Sequence, residues 1–370
     1  MRRLLLPLVV LLLGCNTLPV GSDQLRGVPA VDSLNLEPDT TAGYAKYVPL
    51  ASADTLFLGK DDQYESRVLM KFWTEDRPDS ALEDVTSAQI VIHPGDSTPM
   101  SFVCRPCSVN WFADAVTWKL AESTVHWLVP GGDFYDIELA SGTFEGESLI
   151  IDLDLDHLDT FIEESDGIIL FPQDTGFCPL FSGFSQETAP RLRLVWGDDE
   201  DEQLFSVYED AHIVDTNDVD PGFRYMIAGS GVAFRSFLYF DTDSIPPEAT
   251  IARAELSFLP DVEYARTDTV GISVRRLTQS FEQKGRFAEY LDLASARLDY
   301  AVAADSDSVA VLDLRALVQF WTANPDSNLG CYILSEPEWS RMFRMRIPTS
   351  GPNAPKLDIY YVMPPEGRFW

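Results

Sequence analysis

The stretch Arg67-Val-Leu-Met-Lys-Phe72 and its echo Arg235-Ser-Phe-Leu-Tyr-Phe240 decide the fold, because the sequence around them repeats as well. Each is preceded by a glycine, Gly59 or Gly229, and followed by an alternating run, Ala88-Gln-Ile-Val-Ile92 or Ala254-Glu-Leu-Ser-Phe258. Farther on, Asp154-Leu-Asp-His-Leu-Asp-Thr-Phe161 aligns without a gap on Asp313-Leu-Arg-Ala-Leu-Val-Gln-Phe320, and Gly167-Ile-Ile-Leu170 on Gly330-Cys-Tyr-Ile333. Both copies close on one phrase, Ala189-Pro-Arg-Leu-Arg-Leu194 and Ala354-Pro-Lys-Leu-Asp-Ile359. A period this long marks a duplicated domain, since solenoid units are several times shorter.

Within each copy the apolar runs are short, alternate with polar residues, and are bounded by Gly, Pro, Asp and Asn, which is the pattern of half-buried antiparallel strands. The expected fold is all-β: two tandem jelly-roll-type β-sandwich domains with a few short helical turns. Those turns are expected at Leu155 to Glu163 and at Leu314 to Trp321, opened by Asp154 and Asp313 in N-cap-like positions. Ala288 to Leu298 reads as a further irregular or helical insertion in the second copy. The first sandwich is expected over residues 46–197 and the second over 211–363, with residues 364–370 as a tail. The acidic run Gly197-Asp-Asp-Glu-Asp-Glu202 places a linker at residues 198–210.

Arg2 and Arg3 precede an apolar run, Leu4 to Leu13, that is too short to span a bilayer but suits a signal-peptide core. It ends in Leu12-Leu13-Gly14-Cys15, which resembles a lipobox. Residues 1–14 are therefore expected to be a signal peptide, with Cys15 lipidated and holding the chain on a membrane. Several acyl chains give firm anchoring, because each buried methylene adds about 0.8 kcal/mol. Polar residues with Pro and Gly make 15–45 the expected flexible tether. By resemblance to sorting in diderm bacteria, Asn16 after the lipidated Cys points to the outer membrane, on its periplasmic face or at the cell surface.

With 59 acidic residues against 27 Lys and Arg, the net charge of −32 repels phosphate backbones and argues against a nucleic-acid partner. Cys104-Arg-Pro-Cys107 has redox or half-zinc spacing but lies between strand-like runs, so a structural disulfide involving this pair is expected, with Cys178 as competing partner. Cys331 reads as a buried hydrophobe. Alternating oxygen side chains at Asp215, Asn217, Asp218 and Asp220 before Gly222 resemble part of a calcium loop, although the bidentate Glu of an EF-hand is missing and a solvated acidic turn is the plainer reading. Calcium is the one cofactor this suggests. Trp111, Trp118, Trp127 and Trp321 sit among apolar neighbours and are expected in the core, whereas Trp73 and Trp339 border charged segments and are expected to be exposed ligand contacts. None of His93, His126, His157 and His212 has metal-ligand spacing, and no Gly-x-Ser-x-Gly elbow, P-loop or dinucleotide fingerprint occurs.

Taken with Trp118-Lys-Leu-Ala-Glu-Ser-Thr-Val-His-Trp127 and Pro130-Gly-Gly-Asp-Phe134, the repeated phrases resemble the DNRLRE domain, also described as disaggregatase-related and akin to carbohydrate-binding module family 96. The second copy lacks the tryptophan pair and the Pro-Gly-Gly phrase, and its assignment rests on the repeat. The resemblance implies jelly-roll sandwiches on an exported protein, with polysaccharide binding in some members, and transfers no catalytic residue. The expected function is a noncatalytic, membrane-anchored surface lipoprotein that binds extracellular or cell-wall polysaccharide. The alternative is a structural or adhesive envelope protein binding other proteins. A polysaccharide-degrading enzyme comes third, since it requires two carboxylates converging at about 5 to 10 Å.

Overall fold

A computed structural model describes residues 31–77, 82–96, 98–144, 149–184, 187–197, 201–216, 225–265, 267–302, 308–339 and 342–364. The first strands are β1 (Val31–Leu36), β2 (Thr40–Lys46), β3 (Thr55–Lys60), β4 (Tyr64–Phe72), β5 (Val85–Ile92), β6 (Met100–Pro106), β7 (Ala140–Phe144), β8 (Leu149–Asp152), β9 (Ile168–Pro172), β10 (Gly176–Phe181), β11 (Arg191–Trp196) and β12 (Asp201–Thr216). The second half contributes β13 (Tyr225–Ser230), β14 (Ala233–Tyr239), β15 (Thr250–Phe258), β16 (Asp261–Ala265), β17 (Thr269–Arg276), β18 (Ala296–Ala301), β19 (Ala310–Asp313), β20 (Cys331–Ser335), β21 (Phe343–Pro348) and β22 (Lys356–Val362). Among the described residues helix is confined to short pieces, including α1 (Phe281–Lys284) and α2 (Arg315–Ala323). The protein is all-β, built as two antiparallel sandwiches in tandem.

In the first sandwich one layer runs β12-β11-β5-β8 and the other β7-β6-β9-β4-β12, with β3 and β10 continuing beside β4. The 16-residue β12 belongs to both layers: its first part pairs with β11, and after a bulge between Val207 and Glu209 the rest pairs with β4. In the second sandwich β1-β22-β15-β19 faces β16-β21-β13-β14-β20-β17-β18, with β2 alongside β14. Alternate residues point inward, as a period of two requires. Val68, Met70 and Phe72 of β4 thus meet Ile90 and Ile92 of β5 and Leu192 and Leu194 of β11, while Leu238, Leu256, Phe258, Leu357 and Ile359 build the second core. Each fully buried side chain of this size contributes about 1.5–3 kcal/mol.

The expected turns are present. Asp154 accepts a hydrogen bond from the Asp156 backbone at 3.1 Å and opens a short turn, and Asp313 accepts from the Arg315 backbone at 2.9 Å at the start of α2. The Ala288 to Leu298 segment is irregular up to β18. Trp111, Trp118, Trp127 and Trp321 are all buried.

Three expectations differ from the structure. Of the tether expected over 15–45, residues 31–36 and 40–45 are strand and pair with β22 and β14 of the second sandwich. Of the linker expected over 198–210, residues 201–210 belong to β12, so the first sandwich extends to Thr216. Ladder hydrogen bonds hold both segments extended despite their polar composition, residues 31–45 through the distant β22 and β14 and residues 201–210 through the adjacent β11 and then the distant β4. Finally, Cys104 and Cys107 are free thiols, as are Cys178 and Cys331. Cys104 packs in the sandwich core and Cys107 in a separate cluster with Trp111 and Ile169, because an odd spacing along an extended chain sends two side chains to opposite faces. Burial pushes the Cys107 thiol up to about 12.

The duplicated glycines have a steric cause. Gly167 and Gly330 take φ of +91° and +82°, and a Cβ at either would lie 2.3 Å from the Met70 carbonyl or 2.6 Å from that of Leu238, which are themselves equivalent positions. Gly330→Ala is expected to destabilise the protein by at least about 1–3 kcal/mol, read as a lower urea midpoint with unchanged slope.

Two neighbours on β12 titrate in opposite senses. His212 is fully buried and held down to about 3, whereas burial raises Asp210 to about 6. As pH falls from about 6.5 to 3, the unfolded chain protonates His212 more readily than the folded one and stability is lost. Between about pH 6 and 4 the folded state protonates Asp210 more readily, which offsets that loss. Asp210→Asn is therefore expected to make the denaturation midpoint drop more steeply from pH 6 to 4 than in the wild type.

Candidate functional site

Two loops that follow equivalent strands, residues 107–139 after β6 and 277–295 after β17, come together across the junction of the sandwiches. Between them lies a cleft of about 700 Å³, with Tyr44 to Tyr47 forming its third side. The junction beneath is apolar: Leu50, Tyr64, Phe177 and Val214 pack against Ile227, Val232, Phe234 and Met342.

The first loop is long yet tightly held. Trp111 donates its indole N–H to the Asp166 carbonyl at 2.8 Å, and Trp127 donates to the Thr117 carbonyl at 2.9 Å. Trp118 lies against Arg67, whose guanidinium carbon is 4.5 Å from the ring centroid and whose Nη1 donates to the Gly131 carbonyl at 2.8 Å. The buried Asp133 carboxylate accepts from the backbone N–H groups of Leu128 and Val129 at 2.7 and 2.9 Å. These contacts leave Thr117, Lys119, Leu120, Ser123, Thr124 and His126 facing the cleft.

The second loop repeats the scheme with a shorter chain. Arg235, equivalent to Arg67, has its guanidinium carbon 5.1 Å from the Tyr290 ring, and Tyr290 stands edge-on to Tyr332 at 5.8 Å. The Thr278 N–H donates to the Glu289 carbonyl at 2.9 Å, and Leu291 to that of Arg276 at 3.0 Å. Phe281 stacks on Phe237 at 4.2 Å. This wall presents Arg286, Phe287, Glu289, Tyr290 and Asp292. The same motif position thus places a guanidinium beneath a loop aromatic in each copy, and cation–π contact of this kind contributes about 0.5–2 kcal/mol.

Two of the cations along the cleft, Arg235 and Lys119, are tied to partners. Arg235 donates to both carboxylate oxygens of Glu338, at 2.7 and 2.6 Å. Burial disfavours its charge, but the hydrogen bonds and charge of Glu338 outweigh this and raise its pKa. Burial, and then Arg235, lower Lys46. Lys119 sits 4.5 Å from the centre of the Tyr47 ring, and the Tyr47 hydroxyl donates to Asp215 at 2.5 Å, so burial and that carboxylate raise the phenol. Phenol faces, hydroxyls, an ammonium and carboxylates in a cleft this size can stack on a ring-shaped polar ligand and hydrogen-bond its edges.

The residues singled out from sequence fall elsewhere. Trp73 is 45 % exposed, donates to Asp76 at 3.1 Å and meets Tyr208 edge-on beside a smaller hollow of about 170 Å³. Trp339 is 42 % exposed, and neither tryptophan lines the cleft. Asp215 is occupied by Tyr47, while Asn217, Asp218, Asp220 and Cys15 lie outside the described residues. Among the described residues no group of three His, Cys, Asp or Glu side chains converges to hold a metal ion, and no helix is long and apolar enough to cross a membrane. The cleft residues were missed for identifiable reasons. Tyr44 stands at the end of the expected tether and Tyr47 just inside the expected first sandwich, Tyr290 in the irregular insertion, and Arg235 in the repeated motif that decides the fold. The absence of a tryptophan-rich loop in the second copy, which leaves room opposite Lys119 and His126, was the available signal.

No protein-family model matches the chain, and no curated protein matches it.

Because Arg235 is buried, removing its partner strands a charge. Glu338→Ala is expected to cost about 3–5 kcal/mol, whereas Trp339→Ala beside it is expected to cost less than about 1 kcal/mol; urea denaturation of the two variants makes the comparison.

Proposed function

We propose that this protein is a noncatalytic, membrane-anchored surface lipoprotein that binds extracellular or cell-wall polysaccharide in the cleft between its two sandwiches. The observation that carries the reading is the cleft itself: about 700 Å³, lined by the rings of Tyr44, Tyr47, Phe287 and Tyr290 beside Lys119, Ser123 and Glu289. Pockets of about 300–1,000 Å³ are typical of specific ligand sites. The resemblance to the DNRLRE domain supports the same ligand class. Membrane attachment rests on the lipobox-like Leu12-Leu13-Gly14-Cys15, and placement in the outer membrane on Asn16.

A second reading, an adhesive or structural envelope protein, draws on one observation. Asp133 holds Leu128 and Val129 in a fixed turn with Leu128 89 % exposed, an apolar projection suited to a protein partner.

The test is binding of residues 16–370 to an array of bacterial, algal and plant polysaccharides, with released reducing ends assayed in the same wells. Binding without release is expected, with Tyr290→Ala and Lys119→Ala each weakening it about tenfold or more, equivalent to about 1.4 kcal/mol. Release of sugar ends would overturn the noncatalytic reading, and silence across the array would move the conclusion to adhesion. Running the array with and without calcium reports on Asp215, Asn217, Asp218 and Asp220, because an ion drawing Asp215 from Tyr47 would alter the cleft.

A further inference from the structure

We propose that the two sandwiches are reciprocally strand-exchanged copies of one unit, and that residues 31–46 are a donor segment that a second copy of this chain can supply in place of the chain's own.

The pairing registers carry the first part. β12 precedes the second copy in sequence but is built into the first, and β1 and β2 precede the first copy but are built into the second. Phe205 lies opposite Leu192 of the first closing phrase, and Leu36 lies opposite Leu357 of the second. Ile213 lies opposite Arg67, and Tyr44 opposite Arg235. Phe205 and Leu36 are 169 positions apart, and so are Ile213 and Tyr44, so a single offset relates the two segments in both layers of the sandwich. The places where they change layers also correspond, at the bulge between Val207 and Glu209 and at the break between Leu36 and Thr40. Sequence alone does not show this relation, because Val31-Asp-Ser-Leu-Asn-Leu36 and its counterpart Glu200-Asp-Glu-Gln-Leu-Phe205 share little.

The second part follows from what the segment contributes. It holds the second sandwich through ladder hydrogen bonds to β22 and β14 and through Leu34 and Leu36, which pack against the second core. Without it, β22 and β14 are sheet edges with unpaired backbone groups, and such edges accept any strand of matching register. The same segment from another copy restores every one of these contacts. The closed and exchanged forms then differ mainly in chain entropy and in the connection at residues 47–54, so protein concentration sets their ratio. This inference does not depend on the cleft's ligand.

Asn35 and Asp358 provide the test, because they are cross-strand partners whose side chains hydrogen-bond. Directly opposed residues of an antiparallel pair are about 4.5–5.5 Å apart at Cα, within disulfide reach. All variants carry Cys15→Ser, and oxidant is added only after folding, when the four remaining native thiols are buried. A chain with both Asn35→Cys and Asp358→Cys is expected to close an intrachain disulfide as a monomer. Chains with Asn35→Cys alone and chains with Asp358→Cys alone, both co-expressed and co-refolded, are expected to give an interchain heterodimer whose fraction rises with protein concentration. Failure of the double variant to close its bond would overturn the exchange. A heterodimer that is absent, or no more abundant than the two homodimers, while the double variant closes would overturn donation between chains.

Discussion

The backbone ladder between residues 31–46 and strands at the far end of the chain is the constraint on which the rest depends. Through β22 and β14 it completes both layers of the second sandwich, and its last residues run into Tyr47 at the cleft. β12 does the same for the first sandwich and ends at Asp215 and Thr216, beside Tyr47. Strands β2 and β3, joined by residues 47–54, thus belong to different sandwiches, which also meet at the apolar junction of Leu50, Tyr64, Phe177, Val214, Ile227 and Phe234. Relative motion between halves of a chain is the default where the interface is small and polar. Here the junction is apolar, which suits a cleft whose two walls come from different halves.

A second layer of order comes from one partly buried and one buried cation. Arg67 and Arg235 occupy one motif position, and each carries the loop above it. Their solutions differ. Arg67 is satisfied by Glu65, the Gly131 carbonyl and the ring of Trp118, and the tryptophan-rich loop closes over it. Arg235 is neutralised by Glu338 from the opposite side, and a shorter loop places only Tyr290 above it. The difference in loop length between copies makes room for the cleft. Duplication supplied the frame, and divergence of one loop supplied the concavity.

Several features were readable from residues. Period-two alternation in runs such as Ala254-Glu-Leu-Ser-Phe258 gave the strands, because one face of each must meet a core. The collinear repeat gave two sandwiches of like topology, since equivalent glycines such as Gly167 and Gly330 stand where a carbonyl leaves no room for a Cβ. Asp154 and Asp313 marked the helical turns through a local side-chain to backbone bond. The burial of Trp111, Trp118, Trp127 and Trp321 followed from their apolar neighbours.

The cleft was not legible, and neither were the domain boundaries. Residues 31–45 and 201–210 are polar and acidic, and their composition does not distinguish them from tether and linker; residues 31–36 and 40–45 are strand because partners far along the chain satisfy their backbone groups, and residues 201–210 because the adjacent β11 and then the distant β4 do so. The Cys104 and Cys107 pair looked like a disulfide by spacing, but an extended backbone sends the two thiols to opposite faces. Tyr44, Lys119 and Tyr290 come from three separate segments, and only the junction of the sandwiches brings them to one cavity. Sequence by itself determined what depends on near neighbours: strand period, turn caps, glycine positions and the duplication. Tertiary structure alone decided which strand closes which sandwich and where a cavity opens, because those follow from long-range pairing and packing that no local pattern encodes.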